Sequence, residues 1–260
     1  MKILVGIMYC IEQEYPDSVW SLERQSYTNH DFFRIEKMPN KTAHEALYSC
    51  FMDHAGQYDL FMKLDADMVL CREDFLQRVV GIFQKQPEID DLQIGVHDFF
   101  TDQLIYGLHV YSNRVTWAPN EEKVFVDMMD SRKTRAQDMK YLAPAAWHCP
   151  NPSRFQAFHF GIHKAVKVLQ IGTLNVNENN RKVHSLNIRR LNEQWRARKD
   201  IRLGFAVLGA YRGLIDQLDY RSVDFDSPGL HELFNEYENL SLDAITDEVD
   251  RLQERLARLS

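Results

Sequence analysis

The stretch "YDLFMKLDADMVLCREDF" (residues 58–75) decides the fold. An apolar run, "YDLFMKL", stops at two aspartates, Asp65 and Asp67, separated by one alanine. A run of that length, apolar throughout and bounded by polar residues, predicts a buried strand that ends at the aspartates. Two carboxylates this close resist joint ionisation unless solvent or a cation sits between them. They are therefore either a solvated turn or a cation site.

Working outward, strand and helix patterns alternate. "KILVGIMY" (2–9) predicts a first buried strand, and a helix is expected through "DSVWSLERQS" with Asp17 as its N-cap. "FFRIEKM" (32–38) alternates like a second strand. Thr42 and Glu45, three apart, predict a capping box for a helix that Gly56 can close. After the aspartates, "REDFLQRVVGIFQKQP" is expected to be helical up to Pro87. This order predicts an α/β fold with a mostly parallel sheet flanked by helices, whose ligands bind beyond the carboxyl ends of the strands. The two aspartates fall at that edge.

"LQIGVHDFF" and "LIYGLHVYS" (92–100 and 104–112) predict two more strands joined by a short polar turn. "NEEKVFVDMMDSRKTRAQDMK" (120–140) is expected to be loop and then helix, followed by a proline-bounded loop. From 154 the pattern is helical to about 223, and "DFDSPG" (224–229) has the composition of a linker. In the tail, Leu242, Ile245, Val249, Leu252, Leu256 and Leu259 are spaced like an a/d seam. That seam either docks on its own domain or supports a homodimer through a short coiled coil. The expected organisation is one domain over 1–223, divided at about 95 and 153, with 224–260 as linker and amphipathic helix.

Composition narrows the function. With 260 residues, 45% hydrophobic and 27% charged, the chain reads as globular. A net charge of −7 argues against nucleic acid as the main partner. The apolar start meets Glu12 and Glu14 too soon for a signal peptide, and no apolar run reaches the roughly 18 residues of a spanning helix. Four scattered cysteines without a C-x-x-C pattern predict reduced thiols in the cytoplasm. The basic run from Arg181 to Arg202 reads as a solvated face. Its functional alternative is peripheral contact with anionic lipid at the inner membrane surface, or with a polyanionic acceptor.

The residues from Met1 to about Ser153 resemble a GT-A glycosyltransferase, nearest in pattern to family 2. "LDADMVL" resembles that family's D-x-D motif, "VDMMD" (126–130) its base-bearing segment, and "WHC" (147–149) its terminal metal histidine. The second strand's end, "EKMPNKTAHEAL", lacks the family's acidic pair, and "VDMMD" lacks the glutamate that normally precedes the base. The resemblance implies a divalent cation, manganese or magnesium, held by Asp65, Asp67 and His148. It implies Asp127 as general base and a nucleotide-diphosphate sugar as donor. It also implies transfer to a glycan or lipid-linked acceptor with inversion, as in polysaccharide biosynthesis. Asp65 would contact the ribose or the metal, and Tyr9 and Glu12 the nucleotide.

Plainer roles stand beside these. Asp127 and Asp130 suit a helix N-terminus, and His148 suits a half-buried packing position. His159 and His163 have a helical metal-ligand spacing but no evident third ligand, which favours packing. A haloacid-dehalogenase-type phosphatase would use "LDADMV" with the first aspartate as nucleophile. That motif normally closes the first core strand, whereas two strand–helix units precede it here. A non-catalytic scaffold with the same fold is the third reading.

Overall fold

The computed structural model describes residues 1–119, 130–132, 136–139, 144–170, 178–219 and 223–259, with backbone alone over 130–132 and 136–139. The chain divides into two compact units. One comprises Met1–Asn120 and Asp127–Asn151, the other Glu121–Val126 and Pro152–Ser260. The boundary between them lies near 151.

The first unit is built on one mixed sheet. Its strands are β1 (Ile3–Tyr9), β2 (His30–Glu36), β3 (Leu60–Asp65), β4 (Met68–Leu70), β5 (Asp91–Asp98), β6 (Gln103–Ser112), β9 (Ala136–Met139) and β10 (Ala146–His148). The spatial order is β2-β1-β3-β6-β5-β10-β4, with β9 also pairing β5. β7 (Thr116–Ala118) and β8 (Asp130–Arg132) form a separate antiparallel pair.

β1 pairs parallel with both β2 and β3, as the strand–helix alternation requires. The sheet is mixed, because β6 lies antiparallel between β3 and β5 and β4 antiparallel beside β10. The cause is local. β5 and β6 are joined by residues 99–102 and fold back as a hairpin, with Asp102 in the left-handed region at φ 52°. Even so, β1, β2, β3, β5 and β10 run the same way, so their carboxyl ends share one sheet edge.

The helices of this unit are α1 (Tyr15–Glu23), α2 (Asn40–Asp53) and α3 (Phe75–Lys85). β1 is apolar at nearly every position because both of its faces are covered. Ile3, Val5 and Ile7 join Leu60, Met62 and Leu64 in a core that includes Leu76, Val79, Val80 and Phe83 of α3. On the other face, Leu4 and Phe61 pack with Leu47, Tyr48 and Phe51 of α2, and with Tyr111 and Trp117.

Two expected helix caps fall elsewhere. α1 begins at Tyr15, so Asp17 lies in its first turn and Glu14 is the N-cap. α2 begins at Asn40 behind Pro39, which puts Thr42 inside the helix without a capping bond. The helix expected after residue 120 is also absent among the described residues. Residues 130–132 and 136–139 are strands, β8 pairing with the preceding strand β7 and β9 with β5, more than forty residues earlier.

The second unit contains helices α4 (Arg154–Leu169), α5 (Glu178–Arg198), α6 (Ile201–Asp216), α7 (Pro228–Asn235) and α8 (Leu242–Leu259). α4 opens with a capping box in which Ser153 and Gln156 satisfy each other's backbone N–H groups, at 3.1 Å each. α4 and α6 cross at close range through glycine. A Cβ on Gly161 would lie 1.9 Å from the Ala206 carbonyl oxygen, and one on Gly209 2.1 Å from that of Phe158. "DFDSPG" leads directly into α7, capped by Ser227. Along the tail seam Ile245, Val249 and Leu252 are buried within this unit, Leu242 and Leu259 are exposed, and Arg196 of α5 pairs with Asp250. Among the described residues, no helix is long and apolar enough to cross a membrane.

Candidate metal centre

The site lies in the first unit, where β3 gives way to β4. β4 pairs antiparallel with β10, placing Met68 opposite His148. One step further on, the Cys149 N–H donates to the Asp67 carbonyl oxygen at 2.8 Å. The register therefore brings Asp67, His148 and Cys149 together from 81 and 82 positions apart in sequence. Cys149 has φ 49°, a left-handed conformation that is uncommon for a residue with a Cβ and that recurs at functional sites.

Three side chains converge on one oxygen. His148 Nε2 is 3.4 Å from Asp67 Oδ2, and Cys149 Sγ is 3.0 Å from it. Sγ and Nε2 are 3.7 Å apart. The other carboxylate oxygen, Asp67 Oδ1, is buried with no hydrogen-bond partner. An orphaned buried oxygen is costly unless a further group completes it.

A second carboxylate fixes the histidine. Asp98, buried at the end of β5, lies 2.7 Å through Oδ1 from His148 Nδ1. Its Oδ2 accepts from the Thr101 N–H at 2.8 Å and from the Thr101 hydroxyl at 2.5 Å. With Nδ1 held by Asp98, Nε2 faces Asp67. That is the carboxylate–histidine arrangement that orients metal-binding imidazoles.

The electrostatics follow from this packing. Burial opposes the charge on Asp67, but His148, Cys149 and Lys63 outweigh it and hold the pKa at about 2. Burial also opposes the imidazolium, yet the adjoining Cys149 sulfur and the Asp67 and Asp98 carboxylates push the His148 pKa well above its usual value. Burial, with the charge of Asp67 added, pushes the Cys149 thiol well up.

The other expected residues are placed as follows. Asp65 ends β3 and pairs through Oδ1 with the buried Lys63 ammonium at 2.6 Å, outside the three-residue cluster. Glu12 Oε2 accepts from the Cys10 N–H at 2.7 Å and the Ile11 N–H at 3.1 Å. Burial raises its pKa to about 7 against those two bonds, and the charges of Asp67 and Asp65 push the same way. Tyr9, at the carboxyl end of β1, packs on Tyr15 at 4.3 Å between ring centres, with the Arg34 guanidinium 5.8 Å from its ring. Asp127 lies outside the described residues, and Asp130 opens β8. His159 is buried in the second unit, 4.0 Å from the Phe225 ring centre and beside His163. The basic run lines a cavity of about 340 Å³ bounded by Val168, Arg181, Lys182, Leu186 and Arg189.

Sequence reasoning missed Cys149, Asp98 and Lys63. Cys149 adjoins His148 and Lys63 precedes Asp65 by two, so both carried a proximity signal. Asp98 carried none, because its role arises from the parallel pairing of His148 with it in β5 and β10.

Fold and site together define an α/β protein with a candidate Asp/His/Cys metal-binding group at the strand ends of a mixed sheet. No family model matches the chain, and no curated protein matches it. Among solved structures, the crystal structure of A197 from STIV is similar at 15% identity and a TM-score of 0.33. The likeness covers 43% of this chain and 65% of A197, less than two thirds of that protein's length. So distant a likeness has no bearing on what this chain does.

Proposed function

We propose that the first unit is a metal-dependent glycosyltransferase domain of GT-A type. It would move a sugar from a nucleotide-diphosphate donor to an acceptor hydroxyl. One observation carries this reading: Asp67, at the end of the D-x-D motif, and His148, from a distant strand, meet at the ligand-binding edge of the sheet. The orphaned Asp67 oxygen and the Asp98 brace on His148 fit a cation there.

Asp67 and His148 would hold the cation. When bound, it supplies positive charge to the diphosphate that leaves the sugar. Lys63 neutralises Asp65 on one oxygen and leaves the other for a ribose hydroxyl. The exposed part of the Tyr9 ring offers a stacking surface for a base. Asp127, assigned from sequence order, would accept the acceptor's proton as it attacks the anomeric carbon in a single inverting displacement. A glycan or lipid-linked acceptor and a divalent cation are the chemistry expected of such a site.

The test is thermal stabilisation by UDP, GDP, CDP and dTDP, with and without manganese, magnesium or cobalt. Metal-dependent stabilisation by one nucleotide, lost in Asp67→Ala, supports the reading and identifies the donor class. Stabilisation by none of them turns the weight to a phosphatase or a scaffold.

A further inference from the structure

We propose that Cys149 is a third protein ligand of the cation, and that its thiolate makes the site select zinc or cobalt over magnesium. This rests on the cation site of the proposed function, but not on the transfer reaction.

The donor spacing is the first ground. Ligand atoms sharing one tetrahedral ion, with bonds of about 2.0–2.3 Å, lie roughly 3.3–3.8 Å from one another. Two of the three separations, 3.4 and 3.7 Å, fall in that range. The third, Sγ to Asp67 Oδ2 at 3.0 Å, is a thiol hydrogen bond that an ion would replace. Three protein ligands with one remaining position also match open zinc centres, which keep that position for water or substrate.

The chemistry of the donors is the second ground. Magnesium takes oxygen ligands at near-ideal octahedral geometry, and a sulfur in its shell is a poor donor. Thiolate and imidazole favour zinc and cobalt. The third ground is the backbone. Cys149 is held in its left-handed conformation by the bond from its own N–H to the Asp67 carbonyl, which keeps Sγ beside Asp67 Oδ2. Asp67 Oδ1, buried and without a partner, is the independent sign of a missing ligand.

The test is cobalt titration of the full chain stripped of metal with a chelator. The expected result is a thiolate-to-cobalt charge-transfer absorption that saturates at one equivalent and is displaced by zinc but not by excess magnesium. Cys149→Ser should abolish that band. It should also weaken zinc binding by at least the tenfold or so typical of losing even an outer-shell partner, while magnesium binding changes less than about twofold. If Cys149→Ser fails to fold, the band should persist in the chain whose other free cysteines, Cys10, Cys50 and Cys71, are changed to serine; its loss there overturns the proposal. Cobalt that binds through Asp67 and His148 without the band overturns the thiolate assignment and leaves the nucleotide test standing. Absence of any cobalt binding overturns the site itself.

Discussion

Replacing Glu12 with glutamine should stabilise the protein at alkaline pH and not at acid pH. Burial raises the Glu12 pKa from its ordinary 4.5 to about 7. The folded state therefore keeps the proton more tightly than the unfolded state does. Between about pH 4.5 and pH 7 the unfolded chain loses this proton first, so stability falls as pH rises through that window. The full difference is worth about 3 kcal/mol, with most of it developing between pH 5 and 8. Glutamine is isosteric and neutral, and its oxygen can still accept from the Cys10 and Ile11 N–H groups. Urea unfolding of metal-free wild type and Glu12→Gln at pH 5 and pH 8 measures the effect. The mutant's advantage should grow by about 2–3 kcal/mol from the lower to the higher pH. An advantage that does not change with pH would refute the burial of an ionisable carboxyl at this position.

Other perturbations test the remaining elements. Asp98→Asn keeps the shape but turns an amide donor toward Thr101 or His148. It should cost about 1–3 kcal/mol in urea unfolding and weaken metal binding by about 10–100-fold in a chelator competition. In the second unit, Gly161→Val or Gly209→Val forces side-chain carbon into a carbonyl oxygen of the facing helix. Each should destabilise by about 3 kcal/mol or more, read by calorimetry. Ile245→Ala, at a fully buried position on α8, should cost about 2–5 kcal/mol. Leu259→Ala, 66% exposed, should stay within about 0.5 kcal/mol in the same denaturation assay.

What the sequence made legible was local. The apolar runs of β1 and β3 and the amphipathic stripe of α3 follow from periodicity, because each element satisfies its own pattern. Placing Asp65 and Asp67 at the carboxyl end of a buried strand followed from periodicity and strand–helix alternation. What stayed hidden depends on pairing between distant residues. β10 is three residues long, too short to show a period, yet its register against β4 brings His148 and Cys149 to Asp67. The acidic and basic stretch after residue 120 looked helical by composition, but β8 and β9 answer to partners in β7 and β5. α1 starts two residues ahead of Asp17, where Pro16 fits the first turn of the helix. The α8 seam shows a limit of a different kind. Its heptad spacing fits a partner helix in another chain or in the same one, and in the structure only its middle positions, Ile245, Val249 and Leu252, are buried within its own unit.

The most direct measurement is anomalous diffraction from crystals grown with manganese or cobalt and the nucleoside diphosphate that stabilises the protein most. The account predicts one metal peak bonded to Asp67, His148 and Cys149, with diphosphate oxygens completing its shell. A nucleotide bound elsewhere, or a metal that bypasses Asp67 and His148, would contradict it.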